Sequence, residues 1–189
     1  MTGYMPWDKS WRILITYISW IQPDLPGMEN SPVLPAYPIF ISSLRGGLES
    51  PDLYSAIAGA MVFLLGHEPE EPINSLYCAW LRMYNDELAI RLFYEGTEMT
   101  AQYNMPQAIW LLQASLLLEP YSYETNYNLS LAFNQLGTQL QRKERHREAG
   151  DCYRQAQQYL DNASQIKDQG EGAVFFQGPE PEQPRGYIG

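Results

Sequence analysis

Between Pro51 and Lys167 apolar residues recur at helical spacing, and every proline in that stretch falls where one helix can stop and another start. This pattern predicts a string of helices. "SPDLYSAIAGAMVFLLG" opens with Ser50 as a cap and Pro51 at the first helical position. Gly66 and "HEPEEP" are expected to end that helix, and "INSLYCAWLRMY" to begin the next. A third helix is expected from Asp86 to Tyr103, and Pro106 opens a fourth, "PQAIWLLQASLLLEP", which closes at Pro120. Two more follow, from "YETNYNLSLAFNQLG" and from "EAGDCYRQAQQYLDNASQIK".

The flanks read differently. Trp7, Trp11, Leu14, Ile15 and Ile18 form one apolar stripe, so residues 1–21 are expected to hold an amphipathic helix that Pro23 and Pro26 stop. Residues 22–50 are rich in proline yet carry apolar clusters such as "PAYPIFISSL". That combination predicts an extended arm laid over a surface, either its own domain's or a partner's. Residues 51–168 make the helical domain, and residues 169–189, rich in Gly, Pro and Glu, make a flexible tail. The fold class is therefore all-α with an extended arm.

Charge and cysteine use exclude several functions. The net charge of −10 disfavours nucleic acid or an anionic membrane as the main partner. The one basic run, "RKERHREAGDCYR", is interleaved with Glu144, Glu148 and Asp151 and reads as a solvated helix face. Cys78 and Cys152 are far apart and lack the spacing of a metal site, which fits a reducing compartment. The longest apolar runs are too short to span a bilayer, and Asp8 spoils a signal peptide, so a cytoplasmic location is expected.

The paired helices have an internal period. With Pro120 as the closing proline of a 34-residue unit spanning 89–122, Gly96 falls at position eight. Ala108 falls at position twenty, Leu112 at twenty-four and Ser115 at twenty-seven, which is small, small, bulky and small where two helices cross. The next unit starts at Tyr123 and places Leu129, Ser130, Phe133 and Gly137 in the same register, with Gly137 at the turn. Its second-helix alanine arrives seven residues late, at Ala149, followed in step by Tyr153 and Ala156. An insertion near two helical turns keeps the stripe in phase, so lengthened helices carrying "TQLQRKE" are expected. Residues 55–88 fit only weakly, with Val62 and Asn74 in place of small residues. The chain resembles the tetratricopeptide repeat (TPR) family over these residues, although Leu92 and Glu95 depart from its usual Trp and Leu. The resemblance implies antiparallel helical hairpins stacked as a short α-solenoid. Without it, the same pattern fits a bundle of helical hairpins.

No phosphate loop, nucleophile elbow or paired-histidine motif is present in the sequence. His67 and His146 lie in a loop and a charged run, and no cofactor or metal is expected, so the reading is non-enzymatic. The resemblance implies a concave groove lined by the first helix of each unit. Its residues would be Phe93, Thr97, Thr100 and Asn104, then Tyr127, Leu131, Asn134 and Gln135. This lining is aromatic and amide-rich and lacks the basic clamp of family members that take acidic C-termini. It suits an apolar extended or helical segment of a partner protein. The chain is thus expected to be an adaptor or an accessory subunit of a larger assembly. Two alternatives are a cytoplasmic chaperone of a secreted or assembling protein, and a scaffold attached to a membrane surface through residues 7–21. Self-association through an uncapped end is compatible with each.

Overall fold

The computed structural model describes residues 18–21, 36–40 and 53–175. Two short strands, β1 (Ile18–Ile21) and β2 (Tyr37–Phe40), pair antiparallel with Ile18 opposite Phe40. Six helices follow: α1 (Leu53–His67), α2 (Asn74–Tyr84), α3 (Leu88–Ala101), α4 (Met105–Leu118), α5 (Tyr123–Arg142) and α6 (His146–Phe175). The described chain is mainly helical, with one small ladder beside the helices.

The fourth helix organises the rest. Its sequence, "MPQAIWLLQASLLL", is apolar almost all round, and a helix of that kind must be covered on every side. Leu111, Ala114 and Leu118 face one core cluster, which holds α1, α2 and both strands. Met105, Ile109 and Leu112 face a second cluster, built with α5 and α6. Each fully buried side chain of this size contributes about 1.5–3 kcal/mol, so α4 stabilises both halves at once.

Local chemistry sets the helix ends. Ser122 caps α5, its Oγ accepting from the Thr125 amide at 3.1 Å. The last carbonyls of α4 are capped from another helix: Arg82 of α2 donates to the Leu118 carbonyl through Nε at 3.1 Å and Nη2 at 2.8 Å. Two turns end in the left-handed region at residues other than glycine, Tyr103 (φ 61°) after α3 and Glu144 (φ 59°) after α5. At the second, the Arg145 amide reaches the Leu140 carbonyl and the Glu144 amide reaches that of Gln141. This is the helix-terminating motif that normally carries glycine.

Several expectations change. Residues 18–21, expected as the end of a helix, form β1 instead; residues 7–17 lie outside the described residues. The segment "ILITYISWI" is dense in β-branched and aromatic residues, and its last four pair with "YPIF", so nonlocal pairing overrides the helical period. Of residues 22–50, the described ones lie on the chain's own domain, with Ile39 buried in the α1 cluster and the Tyr37 ring edge-on to Trp80. Helix α1 does end within the stretch expected to stop it, at His67, one residue after Gly66. Gly137 is not at a turn but inside α5, facing Tyr153 of α6. The last helix runs past residue 169, where the tail was expected to begin, to Phe175.

Candidate functional site

Helices α3 and α5 carry seven of the eight residues singled out as groove-lining, and Asn104 lies in the turn after α3, at the N-cap of α4. These two helices start from two close helix crossings. A Cβ added to Gly96 would fall 2.7 Å from Leu112 Cγ and 3.3 Å from the Ala108 carbonyl, so α3 and α4 meet where only glycine fits. Ser115 secures the same pair by donating to the Ala89 carbonyl at 2.9 Å. Between α5 and α6, a Cβ on Gly137 would fall 2.7 Å from the Tyr153 ring. Ala149, Cys152 and Ala156 are buried along that seam.

The face of α5 presents the apolar stripe. Tyr127 and Leu131 lie one turn apart, 39% and 38% exposed, and the Tyr127 ring stacks in parallel on Tyr123 at 6.0 Å. Asn134 continues the row, exposed, while its carbonyl accepts from Thr138. Gln135 is different: its side-chain oxygen is buried and has no hydrogen-bond partner among the described residues, so it points inward.

On α3, Phe93 is half-buried against the second core cluster and makes an edge contact with Tyr94. Tyr94, 63% exposed, and Ile90 form the outward row beside it. The polar members are satisfied locally. Thr97 donates to the Tyr94 carbonyl at 2.8 Å, Thr100 to the Gly96 carbonyl at 3.0 Å, and Asn104 to the Gln107 side chain at 2.8 Å. Of the eight, Phe93 on α3 and Tyr127 and Leu131 on α5 are the apolar members that keep part of their surface exposed. Thr97, Thr100 and Asn104 supply a polar border whose hydrogen bonds are largely made.

A concavity away from these residues was not legible in the sequence. A cleft of about 520 Å³ opens between α1, the end of α2 and α3, with Trp110 of α4 among its lining. Its lining includes Ser55, Gly59, Tyr84, Arg91 and Glu95, and at its rim Ser55 Oγ and the Tyr84 hydroxyl are 3.0 Å apart. The spacing of Ser55 and Gly59, small residues one turn apart in an apolar helix, was the only signal of it. The cleft exists because α1 packs chiefly on α4 rather than on α2 or α3.

The groups that most often carry chemistry are held in packing roles. Burial pushes the Cys152 thiol up to about 12, with Asp151 and Glu148 adding to the effect. Cys78 is raised by burial, partly offset by Arg82. His67 stacks on Phe63 at 4.1 Å and donates from Nδ1 to the Phe63 carbonyl at 2.8 Å, which fixes its tautomer. Tyr159 stacks on Phe133; burial raises its pKa, and the hydrogen bond that it accepts from Gln113 opposes the rise. Among the described residues, no helix is long and apolar enough to cross a membrane.

Comparisons with protein-family models, curated proteins and solved structures give no match to the chain.

Proposed function

We propose that this chain is a non-enzymatic interaction subunit or adaptor of tetratricopeptide type, which holds an apolar extended or helical segment of a partner protein along α3 and α5. One observation carries the reading: two successive hairpins cross on small residues, and the first helix of each turns an aromatic and apolar row outward. Ile90 and Tyr94 on α3, with Tyr127 and Leu131 on α5, leave apolar surface on helices that have an ample core to bury it in. Such surface suits a partner's apolar side chains, and rigid tyrosines contribute contact area at low entropic cost. The crossing at Gly96 lends support to the repeat reading, because Gly96 meets Ala108 and Leu112 at positions where the family packs its two helices; Gly137 crosses Tyr153 outside that register.

The test uses a native-lysate pull-down with the full chain, quantified by mass spectrometry. Phe93 also packs in the core, so its removal mixes folding with binding. Tyr127→Ala/Leu131→Ala touches the exposed row alone. Loss of such anchors commonly costs about 2 kcal/mol, roughly a thirtyfold fall in affinity. The expected result is loss of a wild-type partner with an unchanged helical spectrum and melting temperature. An adaptor subunit retains that partner at fixed ratio in a finished complex, whereas a chaperone retains only its precursor. Undiminished capture by the double variant would remove the groove from the reading.

A further inference from the structure

The basic run at 142–147 occupies the turn between α5 and α6, and three features of that turn separate it from an ordinary charged helix face. The first is exposure without pairing. Arg145 pairs with Glu148 and Arg154 with Asp151, but Arg142, Lys143 and Arg147 are exposed and make no ion pair or side-chain hydrogen bond among the described residues. The second is a fixed backbone: the Arg145 amide closes on the Leu140 carbonyl and the Glu144 amide on that of Gln141, so the turn holds its cations in one place. The third is contrast. Residues 142–148 hold four cations against two glutamates, so the remaining chain is even more acidic than the net −10 of the whole. A cationic turn on an otherwise acidic chain presents a local field of opposite sign to a partner that comes within the screening length, about 8 Å at physiological salt.

We propose that the α5–α6 turn is a docking site for a carboxylate-rich segment of a partner protein. Arginine forks suit carboxylates in two-bond geometry, and Arg142 and Arg147 have theirs free on either side of Lys143. A membrane is disfavoured because residues 141–147 contain no apolar side chain to insert. A nucleic acid is disfavoured because a long polyanion must also pass the acidic body, and three free cations neutralise too few phosphates to hold it. The site is separate from the α3/α5 row and stands whether or not that row binds a partner.

The experiment follows the anisotropy of a fluorescein-labelled octaglutamate peptide titrated with the full chain at about 50 mM and about 300 mM NaCl. Binding is expected at the lower salt, weakening about tenfold at the higher. The triple variant Arg142→Glu/Lys143→Glu/Arg147→Glu is expected to lose at least about tenfold in affinity with an unchanged helical spectrum, since all three side chains are solvated. Arg91→Glu, an exposed cation away from the turn, is expected to lose far less. The proposal is overturned if the wild-type chain does not bind the peptide, or if Arg91→Glu matches the triple variant. Tighter binding to phosphatidylserine vesicles or to a single-stranded oligonucleotide than to octaglutamate also overturns it.

Discussion

Glycine inside a helix costs about 0.5–1 kcal/mol relative to alanine unless a neighbour needs the space, and this chain has both kinds. A Cβ on Gly59 of α1 meets nothing within 4 Å, so Gly59→Ala is expected to stabilise by that amount. On Gly66, in the last turn of the same helix, a Cβ would run into the Trp110 backbone carbonyl of α4, which cannot swing aside. Gly66→Ala should cost about 1–3 kcal/mol, because the two helices must separate. Chemical denaturation of the two variants checks the opposite signs. The close approach at Gly66 was not legible, since its partner Trp110 lies three helices on. Gly96 was legible because its partners Ala108 and Leu112 share a repeat register with it. Cys152 adds a pH dependence. Its folded pKa of about 12 lies above the ordinary 9.0, so the neutral thiol favours the folded state. That stability is fully present below pH 9 and is lost as pH rises toward 12, because the unfolded thiol ionises first. At about pH 10.5 the loss is about 2 kcal/mol. Cys152→Ala should therefore show a shallower alkaline fall in denaturation midpoint than the wild type, with its constant cavity cost cancelling from the slope. Equal slopes would mean that the thiol is not buried in solution.

At the scale of elements, what the sequence disclosed is what depends on neighbours in the chain. The helices of the 53–167 stretch announce themselves by apolar period, and a proline marks some of their ends, as Pro106 does for α4. The β1–β2 ladder pairs residues that positions 22–36 separate in the chain, and Ile18 also fits the helical stripe begun at Trp7. A local reading had no means to choose. The capping of α4 by Arg82 is equally nonlocal: the guanidinium of one helix supplies the donors that the carbonyls of another lack. Arg82→Ala is expected to cost about 1–2 kcal/mol, since it removes charge-assisted bonds to the Leu118 carbonyl and uncaps the last turn of α4. Arg82→Lys should recover only part, having one flexible ammonium for two fixed donors. A denaturation midpoint for Arg82→Ala equal to wild type would show that water satisfies those carbonyls as well.

For the molecule as a whole, the arm and the helical domain share one core, and this decides how binding experiments on the arm must be read. Ile18 and Ile39 are buried in the cluster formed by α1, α2 and α4. Removing residues 1–48 strips both from α1, whose apolar surface on that side has no other cover among the described residues. Two buried isoleucines contribute about 3–6 kcal/mol, a large share of a domain's net stability. The truncated chain is thus expected to melt early, bind a hydrophobic dye and self-associate. Any partner that it fails to hold would be lost for that reason alone. Ile39→Ala in the full chain separates the two effects. It should cost about 2–5 kcal/mol while leaving every other arm residue available to a partner. If Ile39→Ala melts lower yet binds normally below its melting temperature, the arm serves the fold. If binding falls while the melt is unchanged, Ile39 is not in this core, and the arm belongs to the partner's surface.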